Sequence, residues 1–246
     1  SPMSRGLGDV YKRQASGLTG EFAASVGNIY AGYELFENPE EIEIDFLIMG
    51  SANYSKEGAA AIANKLIEVA ELRKDAVAFI SPYRGAFLTD DALNPTSEIL
   101  AKITGYYAPV TSSSFAVLDS GYKYTFDRFN KEFRWVPMNA DIAGLCARTD
   151  INNFPWYSPA GTSRGAILNA VKLAFNPGKR ARDELYSNRI NPITFNPGGG
   201  IILFGDKTGL AKASAFDRIN VRRLFIFLEK AISCLLYTSP SPRDIG

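Results

Sequence analysis

The chain has 246 residues, of which 46% are hydrophobic and 22% charged, and this composition is typical of a globular protein rather than a disordered one. Its 27 basic and 26 acidic residues leave a net charge of +1, which gives no reason to expect electrostatic binding to nucleic acid or to an anionic membrane. The sequence contains no histidine, so this chain cannot by itself assemble a Ser-His-Asp triad, a Cys-His pair or an imidazole zinc site.

Both ends of the sequence resemble translated sequencing adaptors more than they resemble protein. Residues 1–14 read SPMSRGLGDVYKRQ, and residues 234–246 read CLLYTSPSPRDIG. We therefore expect both segments to be artefacts and exclude them from the fold prediction; the alternative is that they are genuine termini. On the artefact interpretation the natural protein extends beyond residues 15–233, and residues 15–38 are expected to be the end of an upstream region.

The first predicted unit is a strand, a helix and a second strand. Residues 46–49 and Val77–Ile80 are continuously apolar, as in buried parallel strands. Between them, Ser55 is a plausible N-cap for a helix over residues 56–74. This order predicts a βαβ unit whose two strands run parallel.

The middle of the chain is predicted to add helices, a strand and a hairpin. A helix is expected over Thr96–Tyr107, followed by a strand over residues 115–118. Residues 122–126 and 132–136 alternate aromatic and polar side chains around a turn, which predicts two antiparallel strands with one exposed face. A short helix over residues 140–147 then places Cys146 on an apolar face, where it is expected to pack rather than react.

Residues 161–165, Gly-Thr-Ser-Arg-Gly, match the nucleophile elbow G-x-S-x-G. That motif needs a strand before the serine, and Pro155 and Pro159 would remove ladder donors from any strand there. We favour a structural loop in which Thr162 or Ser163 caps a helix running to residue 175. A hydrolase that uses Ser163 with a base from outside this chain remains the alternative.

Residues 200–208 approach a phosphate-binding loop but do not match it. Asp206 separates the glycine from Lys207 and would repel phosphate, and residues 201–204 have the pattern of a strand rather than a loop of N–H donors. This pattern favours a strand followed by a turn.

The last predicted element is a long helix with apolar positions from residue 221 to residue 232. Asp217 or Asn220 is expected to cap it. Ile226 and Phe227 widen its apolar stripe, so we expect the helix to be buried on more than one side.

Several segments, in the same order along the chain, resemble the tail sheath proteins of contractile-tailed bacteriophages (myoviruses). The segments are 134–137 (Arg-Trp-Val-Pro), 158–161 (Ser-Pro-Ala-Gly), 188–192 (Asn-Arg-Ile-Asn-Pro), 205–208 (Gly-Asp-Lys-Thr) and 217–224 (Asp-Arg-Ile-Asn-Val-Arg-Arg-Leu).

The resemblance implies an α/β fold divided at about residue 159, and the sequence itself favours a domain boundary within residues 155–162. Residues 39–159 would form a subtilisin-like sheath domain, in which helices flank a central mixed β-sheet. Residues 160–233 would form part of an α+β sheath C-terminal domain, truncated in this sequence. The likeness to subtilisin concerns topology and does not imply hydrolysis.

The resemblance implies a structural virion protein and not an enzyme. Many copies would form a contractile sheath around the tail tube and drive that tube through the bacterial envelope for genome ejection. The expected partners are other copies of the chain and the tail tube, baseplate and tail terminator proteins. No cofactor, metal, direct nucleic-acid contact or membrane insertion is expected, and the expected location is the virion, with assembly in the host cytoplasm. The sheath of a non-viral contractile injection particle is an alternative.

The same motifs supply four candidate assembly residues, which are Asn191, Asp217, Arg222 and Arg223. Two adjacent arginines on a largely apolar helix cannot both be buried without partners. Our hypothesis is that one of them forms an internal ion pair and that the other faces a neighbouring subunit.

Overall fold

The computed structural model describes residues 25–51, 54–89 and 92–238. The expected artefact at residues 1–14 lies outside these ranges. Of the expected artefact at residues 234–246, residues 234–238 continue the last described helix, and the remainder lies outside the described ranges.

The described residues form helices that alternate with short strands. The helices are α1 (Val26–Glu34), α2 (Lys56–Arg73), α3 (Thr96–Tyr107), α4 (Asn139–Asn152), α5 (Lys179–Ser187) and α6 (Ile219–Thr238), with 3-10 helices at Arg84–Ala86 and Ala215–Asp217. The strands are β1 (Phe46–Ile48), β2 (Val77–Ile80), β3 (Leu88–Thr89), β4 (Ala92–Leu93), β5 (Ala116–Asp119), β6 (Tyr122–Asp127), β7 (Glu132–Pro137), β8 (Lys172–Leu173), β9 (Ile190–Asn191), β10 (Ile193–Asn196) and β11 (Gly200–Leu203).

A four-stranded parallel sheet in the order β1-β2-β5-β9 forms the centre of the fold. The predicted parallel pair appears as β1 and β2, joined through α2. The mixed α/β class is confirmed, with one difference in detail: every pairing in the central sheet is parallel. Antiparallel pairing occurs in three separate sheets, β3-β4, β6-β7-β8 and β10-β11.

Both faces of the central sheet are covered by apolar side chains. Along β2, Ala78 and Ile80 join the cluster that contains α2 and α3, whereas Val77 and Phe79 join the cluster that contains α4. Successive side chains of a strand point to opposite faces, so a continuously apolar strand must be covered on both sides. The central sheet therefore lies between two layers of helices.

Helix α2 begins and ends where its local sequence predicts. The Ser55 hydroxyl accepts a hydrogen bond from the Gly58 N–H at 3.1 Å, and Lys74 adopts a left-handed conformation that ends the helix. The buried Arg73 pairs with Asp75 and donates to the carbonyl of Phe36 at 2.7 Å. This arginine ties the segment before β1 to the carboxyl end of α2.

The predicted antiparallel hairpin is confirmed as β6 and β7, with Phe126 opposite Phe133 and Tyr124 opposite Trp135. Strand β8, which the sequence did not predict, pairs with β6 on its other side. Lys172 of β8 lies over the rings of Tyr124 and Trp135, at 4.7 and 5.3 Å from their centroids. Cation–π contacts of this kind hold β8 against the hairpin.

The predicted helix over residues 162–175 is wrong. Backbone hydrogen bonds instead join this segment to β11, with the Leu203 N–H donating to the Gly165 carbonyl and the Ile167 N–H to the Ile201 carbonyl, both at 2.9 Å. A Cβ atom on Gly165 would lie 2.7 Å from the carbonyl oxygens of Gly161 and Leu203. Glycine permits this close approach, and the long-range pairing replaces the helix that the local pattern favoured.

Two further corrections concern helices. Lys179–Ser187, for which the sequence predicted no element, form α5, whose Leu185 is buried. Helix α6 begins at Ile219, so Arg218 occupies the position before it. Asp217 lies in the preceding 3-10 helix and Asn220 lies inside α6. The prediction that one of these two residues is the N-cap of α6 is therefore wrong.

Candidate assembly site

Two of the sequence motifs, at residues 188–192 and 205–208, meet at the buried side chain of Asn191. Its amide nitrogen donates to the carbonyls of Leu118 at 3.0 Å and Lys207 at 2.7 Å, and its amide oxygen accepts from the Lys207 N–H at 2.7 Å. These bonds join β9 to β5 and to the turn at residues 205–208. Asn191 thus has an internal, fold-stabilising position, and its assembly role stays a prediction.

The turn at residues 205–208 also holds the start of α6. The Thr208 N–H donates to the Asp217 carbonyl at 2.9 Å, and the Ile219 N–H donates to the Asp206 carbonyl at 2.8 Å. Asp217 therefore contributes its backbone to this junction. The Asp206 side chain forms an ion pair with Arg218 and accepts a hydrogen bond from Ser158 at 2.9 Å.

Arg223 forms an ion pair inside the described part of the chain. Its partner is Asp150 near the end of α4, and its guanidinium lies 5.4 Å from the ring centroid of Phe46. Only 7% of Arg223 is exposed. This pair joins α6 to α4 beside the edge of the central sheet.

Arg222 has a different environment, although it is only 9% exposed. Its guanidinium lies between two rings, 4.2 Å from the centroid of Phe115 and 3.9 Å from that of Phe216. Burial lowers its pKa from the ordinary value, and Glu229 acts in the opposite direction. Among the described residues, no side chain or carbonyl forms a hydrogen bond or ion pair with this guanidinium, and its Nε atom is buried without a partner.

Apolar side chains of α6 and of the loop after α4 are exposed. Phe227, Leu228 and Ile232 of α6 are exposed by 47%, 41% and 54%, and Trp156 and Phe154 lie next to α6 on the loop after α4. The Trp156 and Phe154 rings are stacked, with centroids 4.6 Å apart. Groups of exposed apolar residues mark interaction surfaces, and we call these five residues the α6 apolar surface.

Ser163 is exposed on a turn, without the strand and helix of a nucleophile elbow. No hydrogen bond joins its hydroxyl to a basic side chain in the described ranges.

The predicted strand within the near-match to a phosphate loop is confirmed as β11. Lys207 packs over the Tyr186 ring at 4.0 Å and donates to the Tyr186 carbonyl at 3.1 Å.

Cys146 is buried, as predicted, and burial raises the pKa of its thiol to about 12. A thiol with such a pKa stays protonated near neutral pH and is a poor nucleophile.

The described residues contain no group of three or more metal-ligating side chains. None of the described helices combines the length and the low polarity that a membrane span needs.

Sequence reasoning missed the contacts that define the two arginines. Phe115, Phe216 and Asp150 come from three separate segments of the chain, and Asp150 precedes Arg223 by 73 residues. No spacing rule links positions so far apart. The only available signal was the excess of charge on an apolar helix, which demands partners but does not identify them.

The profile of the phage tail sheath protein central domain matches residues 28–209. The tail sheath protein of Enterobacteria phage T4 is 38% identical over 224 residues, which are 89% of this chain and 34% of that protein. That of Vibrio phage KVP40 is 40% identical over 213 residues, 82% of this chain and 32% of that protein. The chain thus spans about a third of the length of these relatives.

Solved structures of contractile particles share the fold at low sequence identity. The helical sheath of the anti-feeding prophage in its contracted state aligns with a TM-score of 0.62 and 20% identity, over 90% of this chain and 55% of that chain. The sheath complex of an extracellular contractile injection system, PVC, also in its contracted state, aligns with a TM-score of 0.61 and 18% identity, over 86% of this chain and 54% of that chain.

Proposed function

The chain belongs to the phage tail sheath protein family, and from that premise we propose that it is part of a contractile tail sheath subunit. The observation that carries the proposal is the match to the sheath central domain over residues 28–209, which includes all four strands of the central sheet and the Asn191 junction. The resemblance found in the sequence is confirmed by this match and by the phage relatives. Because the chain spans about a third of those relatives, the activity of the whole protein is itself a proposal.

We propose a mechanical function for the sheath. Many copies surround the tail tube in an extended, metastable arrangement, and a signal from the baseplate lets the subunits rotate and move outward. The sheath then shortens and drives the tube through the bacterial envelope. The free energy comes from repacked contacts between subunits, so contraction needs no nucleotide. An open helical assembly requires two different, complementary faces on each subunit.

The expected domain division, partners and location are part of the same proposal. A subtilisin-like domain over residues 39–159 is supported by the parallel sheet between helices. A truncated C-terminal domain over residues 160–233 would have to share that sheet, since β9 pairs with β5. The proposed partners are other copies of the chain and the tube, baseplate and terminator proteins, in the virion after assembly in the host cytoplasm.

A non-enzymatic role is also part of the proposal. Among the described residues, no hydrogen bond joins the Ser163 hydroxyl to a basic side chain, and the structural role of the family agrees with this. A fluorophosphonate probe provides a check, because covalent labelling of Ser163 in the folded chain would contradict a purely structural role. Identities of 37–40% with phage sheaths, against 18–20% with the injection particles, favour the phage sheath over the non-viral alternative.

Self-association of the chain tests the proposal. We expect sedimentation equilibrium to show concentration-dependent association below about 1 mM, where even a weak contact between copies populates dimers. A chain that stays strictly monomeric over that range would contradict the proposal.

A further inference from the structure

We propose that Arg222 is a receptor for a carboxylate side chain of a second copy of the chain. This inference rests on the proposed function, since it names the chemistry of one contact between sheath copies. It would add an intermolecular ion pair to the internal pair of Arg223 with Asp150.

The first argument is that, within the described part of the chain, only one of the two adjacent arginines has a carboxylate partner. Both are more than nine-tenths buried, but Arg223 has a carboxylate partner and Arg222 has none among the described residues. A guanidinium remains charged under all ordinary conditions, and a buried charge without a partner carries a large desolvation cost. Cation–π contacts with Phe115 and Phe216 offset part of that cost but leave the buried Nε donor without a hydrogen-bond partner.

The second argument is the fixed position of the guanidinium. The two rings restrict its orientation, so little conformational entropy remains to be lost when a partner binds. Its Nε atom is buried, and the two terminal nitrogens are left as the available donors. A carboxylate matches two parallel N–H donors better than any other side chain of a protein.

The third argument is that the chain itself offers suitable carboxylates. Glu40, Glu41 and Glu43 are exposed on the segment before β1, and none of them forms an ion pair within the described residues. Copies of one chain that associate through unlike faces can bring such a segment to the Arg222 site. A second copy is therefore the occupant that charge complementarity favours.

The first test removes the donors of Arg222 and keeps much of its apolar packing. We expect Arg222→Met to weaken self-association at least about 30-fold, as when one partner of an interfacial charge pair is truncated. Arg180→Met is the matched control, because Arg180 is exposed on α5 with no ion pair in the described ranges, and it should leave association within about threefold of wild type. Thermal unfolding of dilute, monomeric samples separates an interface effect from a folding defect.

The second test identifies the partner atom. In the Arg222→Lys variant, carbodiimide couples the new amine to a carboxylate in contact with it. Mixing copies labelled with nitrogen-14 and nitrogen-15 distinguishes links between copies from links within one copy by mass spectrometry. We expect links between copies from position 222 to a Glu or Asp, with the segment at residues 40–43 as the first candidate.

The outcomes separate this inference from the proposed function. If wild type and Arg222→Met associate equally, or if position 222 links only to Glu229 of its own copy, the inference is wrong and the sheath proposal stands. If the wild-type chain does not associate at all, the proposed function fails and the inference fails with it.

Discussion

The central sheet and helix α6 differ in how completely the described chain covers their apolar side chains. Strand β2 has apolar residues on both faces, and all four of them are buried. Helix α6 buries Ile219 and Ile226 against the sheet side, whereas Leu228 and Ile232 on its other side are exposed. The sheet can therefore be stable within one copy, but α6 needs a further surface to complete its burial. We therefore expect the central sheet to determine the stability of a single copy, and α6 to contribute to contacts between copies.

Removing a large side chain from the sheet should have the largest effect on stability. Phe79 is fully buried and forms an edge-to-face contact with Phe46 at 5.4 Å. We expect Phe79→Ala to lower the free energy of unfolding by about 3–5 kcal/mol, because it leaves a cavity in a closely packed core. Urea denaturation measures the change, and a loss below about 1 kcal/mol would show that the sheet is less completely packed than described.

The Asn191 junction should have the next largest effect. Asn191→Ala leaves the Lys207 N–H and the carbonyls of Leu118 and Lys207 without their buried partner. We expect a loss of about 2–3 kcal/mol in the free energy of unfolding. Asn188→Ala is the control, because the exposed Asn188 amide only donates to the Glu184 carbonyl on the same helix, and equal losses in both variants would contradict the role of Asn191.

Asp119, at the end of β5, should make the stability of the sheet depend on pH. Its side chain accepts hydrogen bonds from Ser81 at 2.6 Å and the Gly121 N–H at 2.8 Å, but burial outweighs these bonds and raises its pKa from 3.8 to about 7. The folded state then holds this proton more tightly than the unfolded state, so its stabilising contribution is complete below pH 3.8 and is lost as pH rises to about 7.

The expected cost of ionising Asp119 is of the order of a few kcal/mol. Denaturation at several pH values between 4.5 and 8 measures it, in wild type and in Asp119→Asn, which cannot ionise. We expect the stability difference between the two proteins to change with pH in the direction that disfavours wild type at high pH. A difference that stays constant with pH would show that Asp119 does not titrate over this range.

The α6 apolar surface should contribute least to the stability of a single copy. Phe227→Ser and Ile232→Ser change side chains that are about half exposed, so we expect less than about 1 kcal/mol of change in the free energy of unfolding. Self-association measured by sedimentation should nevertheless weaken, because apolar area is lost from an interaction surface. If these variants unfold as easily as Phe79→Ala, α6 belongs to the core rather than to an interface.

The sequence predicts those elements that depend on local signals. The cap at Ser55, the apolar β2 and the alternating hairpin of β6 and β7 each follow from neighbouring residues, and all three are present. The helix expected after Thr162 fails for a physical reason, since Gly165 lies against β11 and its backbone bonds to a segment almost forty residues away. Local periodicity does not report such pairing.

The sequence nominates the candidate assembly residues but not their contacts. The family motifs point to Asn191, Asp217 and the two arginines, and the role of these residues in assembly stays a prediction. The different environments of Arg222 and Arg223 depend on Phe115, Phe216 and Asp150, which are distant in sequence from the arginines or lie in another element. Only the folding of the chain brings these residues next to α6. Adjacent residues of a helix point in different directions, and only the three-dimensional structure shows what each direction meets.

A chimeric sheath tests the central claim most directly. Residues 25–233 would replace the matching segment in the tail sheath protein of phage T4, which is 38% identical, and the same substitution with the phage's own segment is the control. Electron microscopy of tails made with the chimera should show sheaths around tubes, in extended or contracted form. A chimera that is expressed and folded at the level of the control, but leaves every tube bare, would contradict the assignment of this chain to the contractile sheath.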